Sequence, residues 1–330
     1  MAVALARPRF LRAPRRRGRT PWLALAAVAA GAATALYWRK RTRAAERDHP
    51  PLGRFLAIDG VRLHYVERGR GEQAVVLLHG NGSMVQDFLA SVVVDRLAAR
   101  HRVIVFDRPG FGYSTRPKGR LWGPAAQAEL MLAAMERLGL RRPVVVGHSW
   151  GTLVAFAMGL RRPEALRSLV LISGYYNPTV RLDVPLLAPP GIPVLGAPLR
   201  WTLAPALARL VFPLLMRRIF APGRGARRFA EQFPKELALR PAQIRASAAE
   251  TGLMIPAAIA YRRRQRHLRL PALVIAGTGD RLINTRKQSS RLAERLPRAS
   301  LHLIPGAGHM VHHQAPGRVA ALIDLAATMP

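Results

Sequence analysis

Val144 to Thr152, "VVVGHSWGT", joins a run of β-branched residues to an apolar tract, with one serine between two glycines. The β-branched run is typical of a buried strand, and the tract that follows is typical of a helix. A strand, a Gly-x-Ser-x-Gly turn and a helix together describe a nucleophile elbow, in which Gly147 and Gly151 let the two elements approach closely. The turn pushes Ser149 out of the sheet, and the amide of Trp150 opens the helix beside it. We therefore expect Ser149 to be a nucleophile.

From about Gly53 onward, short β-rich runs alternate with longer alanine- and leucine-rich segments. This alternation predicts an α/β fold with an eight-stranded, mostly parallel sheet and helices on both faces. Asp59-Gly60 predicts a hairpin turn, so the sheet should open antiparallel. The predicted strands are residues 54–58, 61–67, 74–78, 103–106, 144–147, 168–172, 273–276 and 300–304. The predicted helices are residues 86–99, 125–138, 152–161, 286–295 and 316–327.

Residues 177–269 interrupt the alternation with a proline-rich stretch, long apolar runs and a basic helix-like segment. An insertion after the sixth strand would lie over the carboxyl ends of the parallel strands, where open α/β sheets bind ligands. We expect a helical cap there. The predicted organisation is a basic segment (1–20), an apolar helix (21–38), a linker (39–52), the core (53–176 and 270–330) and the cap (177–269).

A serine hydroxyl needs a base to remove its proton and an acid to orient that base. "LVIAGTGD" ends a predicted strand at Asp280, and "LHLIPGAGHMVHH" follows another strand with a loop that presents His309. Each residue taken alone could be a turn serine, a surface acid or a buried polar histidine. Their order along the chain, serine then acid then histidine, favours a catalytic triad.

Three further motifs resemble the α/β-hydrolase fold superfamily, with a likeness that covers residues 53–329. His79-Gly80-Asn81-Gly82 looks like its oxyanion loop, Asp107-Arg108-Pro109-Gly110-Phe111-Gly112 like its turn after the fourth strand, and residues 147–151 like its elbow. The resemblance implies that Ser149 is the nucleophile, that His309 is the general base and acid, and that Asp280 orients the imidazole. It also implies an oxyanion hole made by the backbone amides of Asn81 and Trp150.

The remaining motif residues are expected to support this site. They are His79, Gly80, Gly147, His148, Gly151 and Asp107, and Asp107 is expected to support the oxyanion loop because it precedes the nucleophile. His309, His312 and His313 could suggest a metal site. Adjacent histidines should point in different directions on a helix, and no carboxylate lies at ligand spacing, so we predict no metal and no cofactor.

A serine at the elbow favours acyl chemistry, since superfamily members that open epoxides or displace halide carry an aspartate there. The expected activity is hydrolysis of a small, hydrophobic ester, as in a carboxylesterase or lipase, through an acyl-enzyme. Carbon-carbon bond hydrolysis, perhydrolase or haloperoxidase activity and acyl transfer remain open within the fold. A non-catalytic, membrane-associated binding module is the alternative from another class.

The chain carries 52 Lys and Arg against 18 Asp and Glu, a formal net charge of +34 over 330 residues. Such a balance indicates nucleic acid or an anionic membrane surface, although arginine enrichment also follows from a GC-rich coding sequence. Zinc-finger spacing and RNP-like motifs are missing from the sequence, so nucleic acid is not an expected partner. The absence of cysteine excludes disulfides and a thiolate nucleophile and leaves the redox compartment open. The oligomeric state also stays open.

Pro21 to Trp38, "PWLALAAVAAGAATALYW", carries no charge and has a length at the short end of the roughly 17 to 25 residues that cross a bilayer. Trp22, Tyr37 and Trp38 resemble interfacial aromatic residues. The segment predicts a single-pass membrane anchor. A cleaved export signal and an ordinary alanine-rich helix of the fold are the alternatives, and basic residues on both flanks leave the orientation open.

Overall fold

The computed structural model describes residues 20–330, with side chains from Trp22 onward. The predicted basic segment, residues 1–20, lies outside the described residues except for Thr20, where the first helix begins.

One eight-stranded sheet forms the centre of the molecule, with strand order β1-β2-β4-β3-β5-β6-β7-β8. The β1-β2 and β2-β4 pairs are antiparallel, and every other pair is parallel. The prediction of a mostly parallel α/β sheet that opens antiparallel is therefore confirmed. The strands are β1 (Arg54–Ile58), β2 (Val61–Arg68), β3 (Ala74–Leu78), β4 (Arg102–Phe106), β5 (Val144–His148), β6 (Ser168–Ile172), β7 (Ala272–Gly277) and β8 (Ala299–Ile304).

Fourteen α-helices accompany this sheet in the described part of the chain. They are α1 (Thr20–Asp48), α2 (Val85–Leu89), α3 (Val92–Ala98), α4 (Pro124–Arg137), α5 (Trp150–Arg161), α6 (Val184–Leu187), α7 (Gly196–Trp201), α8 (Leu203–Phe220), α9 (Arg227–Gln232), α10 (Lys235–Ala238), α11 (Pro241–Arg262), α12 (Arg291–Ala293), α13 (Val311–Gln314) and α14 (Pro316–Thr328). Helices α6 to α11 all lie between β6 and β7, where the sequence predicts a cap. A π-helical turn, Arg286–Ser290, precedes α12.

Two apolar cores lie on opposite faces of the sheet, because successive side chains of a strand point to opposite sides. Val145 of β5 packs with residues of α4 and α5 in one core. Its neighbours Val144 and Val146 pack with residues of α3 and α14 in the other. Burial on both faces explains why the central strands are continuously apolar rather than alternating.

The predicted helix over residues 86–99 is two helices in the structure, α2 and α3. Ser91 separates them, and its Oγ accepts a hydrogen bond from the N–H of Val93 at 3.3 Å. The same hydroxyl donates to the carbonyl oxygen of His312 at 2.6 Å. Residues around the break are apolar and helix-compatible, so hydrophobic spacing alone did not predict it.

The prediction of a membrane-spanning helix over residues 21–38 is not supported. Within the described part of the chain, none of the helices combines the length and the apolar character needed to cross a bilayer. Many residues of the segment are alanines, which are only weakly apolar, and α1 runs without a break into Arg39, Lys40 and Arg41. The predicted linker is thus helical as far as Asp48.

Trp38 packs inside the protein rather than at a lipid interface. Its side chain is only 8% exposed, and its Nε1–H donates to the carbonyl oxygen of Thr202 at 2.9 Å. The guanidinium of Arg209 lies over its ring, 4.5 Å from the centroid. The second half of α1 is therefore fastened to the cap, as in the alternative reading of an alanine-rich helix of the fold.

Replacement of Trp38 by alanine is expected to release α1 from the cap. The loss of a buried indole costs about 3 kcal/mol. Here this lowers the free energy needed to detach α1 locally from the cap. Limited trypsin digestion should then cut faster at the arginines between residues 39 and 47. Trp22→Ala is the matched control, because that side chain is 75% exposed. Equal cleavage rates in the two variants would contradict the packing role.

Candidate active site

Ser149 occupies a strained turn between β5 and α5. Its backbone has φ +51° and ψ −117°, a conformation that is rare for a residue with a side chain. A Cβ on Gly147 would lie 2.5 Å from the carbonyl oxygen of Gly151, and a Cβ on Gly151 would lie 2.2 Å from that of Leu78. Only glycine fits at either place. Ser149 is half-buried at the end of a fully buried strand, so its hydroxyl stands at the rim of the sheet.

The loop after β3 approaches the same serine. A Cβ on Gly80 would lie 3.1 Å from the Cβ of Ser149. Any larger residue at position 80 would therefore require Ser149 to shift. The side-chain Nδ2 of Asn81 donates to the carbonyl oxygen of Ser247 and to Oγ1 of Thr251, both at 3.1 Å. Those two residues belong to α11 of the cap. The cap therefore helps to hold the loop that is expected to provide one oxyanion amide.

Trp150, the second expected oxyanion residue, is the first residue of α5. The N–H groups of a helix's first turn have no acceptor within the helix and carry a partial positive charge. An oxygen that becomes negative beside Ser149 can be stabilised by such a group.

Asp280 and His309 form a buried pair. Nδ1 of His309 lies 2.8 Å from Oδ2 of Asp280, and both side chains are at most 3% exposed. The other carboxylate oxygen of Asp280 accepts hydrogen bonds from the backbone N–H groups of Leu282 at 2.8 Å and Ile283 at 2.9 Å. A carboxylate held this way keeps the proton of the imidazole on Nδ1, which leaves Nε2 free to accept another.

Two contacts position the loop that carries His309. The N–H of His309 donates to the carbonyl oxygen of Ile219, the penultimate residue of α8, at 3.1 Å. Nε2 of His148 lies 3.2 Å from the carbonyl oxygen of His309, and the two imidazole centroids are 5.0 Å apart. Because His148 immediately precedes Ser149, the end of β5 and the loop after β8 meet at the same rim.

Asp107 lies beneath the oxyanion loop. One carboxylate oxygen accepts the N–H of Val85, where α2 begins, at 2.8 Å. The other accepts the N–H of Tyr113 at 2.9 Å and lies 2.6 Å from Nδ1 of His64. These bonds tie the segment after the loop to β2, and the supporting role of Asp107 stays a prediction.

Arg108 was not recognised as a functional residue in the sequence, yet it is a central link in the site. Its side chain is fully buried and donates to the carbonyl oxygens of His79 at 2.8 Å and Gly80 at 3.0 Å. It also pairs with both carboxylate oxygens of Glu250 of α11, at 2.5 and 3.0 Å. Gln127 completes the group by accepting from Arg108 at 2.9 Å and donating to Glu250 at 2.8 Å.

A faint sequence signal exists for this link. Arg108 is the one cation inside a motif that directly follows a buried strand, and Glu250 is the one acidic residue of α11. Their separation of 142 positions leaves the pairing invisible without the fold.

His79 is held as a neutral imidazole inside the same network. Burial, followed by the nearby charge of Arg108, lowers its pKa to about 3. Nδ1 lies 2.8 Å from the carbonyl oxygen of Gly80, and Nε2 accepts the N–H of Arg108 at 3.0 Å. The imidazole of His79 therefore joins the loop after β3 to the turn after β4 through fixed hydrogen bonds.

The expectation that His312 and His313 point apart is wrong. Nε2 of His312 lies 3.0 Å from Oδ1 of Asp87, and Nε2 of His313 lies 2.9 Å from the same oxygen. Burial raises the pKa of Asp87, but the charges and hydrogen bonds of both histidines bring it well below the ordinary value. Donor atoms of the three residues lie within 4.8 Å of one another, close enough to hold a cation. Hydrogen bonds to Asp87 occupy both Nε2 atoms, and the absence of a metal stays a prediction.

Comparison with known proteins agrees with this architecture. Residues 73–316 match the sequence model of a family described as the alpha/beta hydrolase fold. The chain belongs to the α/β-hydrolase fold family. It is 29% identical over 304 residues to a 2-hydroxymuconate semialdehyde hydrolase of Pseudomonas putida, covering 85% of this chain and 95% of that hydrolase. It is 28% identical over 277 residues to haloalkane dehalogenase 2 of Mycobacterium tuberculosis, covering 79% of this chain and 90% of the dehalogenase.

Among solved structures of the α/β-hydrolase fold, a thermophilic esterase from Thermogutta terrifontis resembles this protein with a TM-score of 0.67. The match covers 82% of this chain and 95% of the esterase at 23% sequence identity, a likeness that shows the fold alone.

Replacement of Glu250 by glutamine is expected to weaken both stability and turnover. It leaves the buried guanidinium of Arg108 without a counter-charge, at a cost of about 3 to 5 kcal/mol. The carbonyls that Arg108 holds belong to the loop that is expected to form the oxyanion hole, so kcat should fall about tenfold or more. Glu231→Gln is the control, because its pairing with Arg227 is exposed and contributes little. Thermal unfolding and steady-state kinetics measure both effects, and wild-type values for Glu250→Gln would contradict the role of the link.

Mild acid is expected to destabilise the fold. Burial, before any neighbouring charge, lowers the pKa of His79, His148 and His312 below the ordinary value of 6.5. Well above pH 6.5 the folded and unfolded chains are both neutral at these positions. Below it the unfolded chain binds protons that the folded chain does not, so stability decreases as the pH falls towards the folded pKa values. The melting temperature should therefore fall between pH 6.5 and pH 4.5, and a flat or rising curve would contradict the neutral assignments.

Proposed function

We propose that this α/β hydrolase cleaves esters of hydrophobic acids through an acyl-enzyme formed on Ser149. The observation that carries the proposal is the buried 2.8 Å contact between Nδ1 of His309 and Oδ2 of Asp280. The loop that carries His309 also contacts His148, the residue before Ser149. A serine with an imidazole and an orienting carboxylate at one sheet rim is the arrangement that acyl transfer needs.

In the proposed first step, Oγ of Ser149 attacks the carbonyl carbon of the ester while its proton passes to Nε2 of His309. The carbonyl oxygen becomes an oxyanion, which the N–H groups of Asn81 and Trp150 stabilise. When the tetrahedral intermediate collapses, the bond to the alkoxy oxygen breaks, and the alcohol leaves with the proton from His309. The acyl group stays on Ser149.

In the second step, His309 removes a proton from water, and the resulting hydroxide attacks the acyl carbon. Collapse of this second intermediate returns the proton to Oγ of Ser149 and releases the carboxylic acid. Asp280 keeps its charge throughout and stabilises the imidazolium that forms twice in each cycle.

Carbon-carbon bond hydrolysis is the second candidate. It is favoured by the similarity to the 2-hydroxymuconate semialdehyde hydrolase of Pseudomonas putida. In that chemistry the attacked carbonyl is an aldehyde or a ketone, the carbon-carbon bond beside it breaks, and the leaving group is a stabilised carbanion that takes up a proton. The similarity to a haloalkane dehalogenase carries less weight, because displacement of halide is better served by an elbow carboxylate than by Ser149.

A direct comparison of substrates separates the two candidates. The purified protein is given p-nitrophenyl esters of increasing acyl length and, separately, 2-hydroxymuconate semialdehyde, and kcat/KM is measured for each. Higher kcat/KM for medium or long acyl esters supports the proposal. Higher kcat/KM for the semialdehyde, or a strict preference for acetate, would overturn the hydrophobic-ester assignment.

Substitutions in the proposed triad test the mechanism itself. Ser149→Ala should abolish turnover and labelling by a fluorophosphonate probe, while circular dichroism stays unchanged. Asp280→Asn should lower kcat by about 10³- to 10⁴-fold, because the imidazole loses its orienting carboxylate. The control is Ser300→Ala, whose serine is exposed on β8. Substantial ester hydrolysis by the Ser149→Ala variant would refute the role of this residue.

A further inference from the structure

Helix α8 presents its apolar stripe to solvent. Its leucines and valine recur every three or four positions, a spacing that places them on one helix face. The helix buries only Pro205, Ile219 and Phe220. In a helix of a globular fold the apolar stripe normally faces the core, so this face lacks its usual partner within the described residues. We call it the apolar cap face, and its exposed residues are Leu203, Leu207, Leu210, Val211, Leu214 and Leu215.

Exposed apolar side chains continue beyond α8. Leu186 of α6, together with Val194 and Leu195 before α7, is also exposed. Helix α7 packs against both α8 and α1. Exposed apolar side chains in such number usually mark a surface that binds another molecule.

Exposed cations lie at the C-terminal end of the apolar cap face. Residues 181–230 contain eight arginines and one acidic residue, Asp183. Four of these arginines pair with carboxylates: Arg181 with Asp183, Arg209 with Glu236, Arg227 with Glu231 and Arg228 with Asp95. Arg217 and Arg218 lie exposed in the last turn of α8, and Arg224 is exposed just beyond it. Leucines on one face with arginines beside them are the pattern of helices that lie in the plane of a membrane interface and attract acidic headgroups.

A second copy of this chain fits this charge distribution poorly. A two-fold contact brings the same patch of each copy together, so the arginines at the end of α8 would face their own counterparts. The chain as a whole carries a formal charge of +34, which adds to that repulsion. An anionic surface neutralises the same arginines while the leucines leave water.

We propose that the apolar cap face binds the surface of an anionic lipid bilayer, with α8 lying in the interface and its leucines inserted below the headgroups. The attachment is peripheral. It requires no helix to cross the membrane, and it would hold the enzyme at a lipid surface.

The binding surface is connected to the proposed active site. The carbonyl oxygen of Ile219, near the end of α8, accepts the N–H of His309 at 3.1 Å, and that of Phe220 accepts Nε2–H of Gln314 at 2.5 Å. Lipid bound along α8 would therefore lie one helix length or less from the catalytic loop. The lipid binding itself does not depend on the proposed ester hydrolysis and can be measured without it.

Vesicle flotation with the full chain tests the proposal. Vesicles of phosphatidylcholine alone are compared with vesicles that also contain phosphatidylglycerol, at low and high salt. The test variant is Leu210→Glu with Leu214→Glu, whose side chains are 78% and 68% exposed. The matched control is Leu121→Glu with Leu325→Glu, 73% and 47% exposed on the core domain, which makes the same change of charge and a somewhat smaller change of exposed apolar area. Thermal melting verifies that both variants fold.

The wild-type protein should float with anionic vesicles, less so at high salt, and weakly with phosphatidylcholine alone. The α8 variant should lose about tenfold or more of its partitioning, since two leucines no longer leave water, and the control should bind like the wild type. Undiminished binding by the α8 variant would place the lipid contact elsewhere, for instance on α1, and overturn the proposal. A wild type that fails to float also overturns it, and light scattering would then show whether the α8 variant splits a dimer through the same face.

Discussion

The close approach of β3, β5 and α5 at residues 147–151 is the constraint on which the site depends. The strand and helix can meet at that angle only because neither Gly147 nor Gly151 has a side chain, and the turn between them forces Ser149 to a positive φ. The cost of this strained backbone is offset by the two apolar cores that clamp the sheet on both faces. The turn geometry and the close packing around it therefore place the hydroxyl of Ser149 at the rim of the sheet. The loops after β3, β7 and β8 leave the sheet at the same rim, because the carboxyl ends of parallel strands lie along one edge.

The sequence predicts the sheet well and the buried polar network poorly, for physical reasons. Strands such as Ala74–Leu78 and Val144–His148 can be predicted from their own residues. Burial on both faces requires a continuous run of β-branched or other apolar side chains. The pairs Arg108–Glu250 and Asp87–His312 join residues 142 and 225 positions apart. Nothing in the local sequence specifies which buried charge meets which, and only the topology decides it. The same holds for Asn81, whose amide is held by a cap helix rather than by its own loop.

Helix α1 shows how one composition can fit two different settings. Residues 21–38 are uncharged and end in aromatic residues, which satisfies simple rules for a spanning helix. Hydrophobicity per residue matters as much as the absence of charge, and alanine supplies little of it. Trp38, which the sequence places at a lipid interface, instead stacks under Arg209 and donates to Thr202. An indole serves equally well at a membrane or in a protein contact, because both offer an apolar body and a polar acceptor.

The cap is a structural part of the site rather than a cover laid over it. Glu250 neutralises the arginine that fixes the carbonyls of His79 and Gly80, Ser247 and Thr251 hold Asn81, and Ile219 holds the backbone of His309. Each of these contacts is buried or half-buried, and loss of any one leaves a polar group without its partner. The two stretches of core and the inserted cap must therefore fold together before the rim acquires its geometry. Since α8 carries both an exposed apolar stripe and the acceptor for the N–H of His309, the surface and the site are two ends of one element.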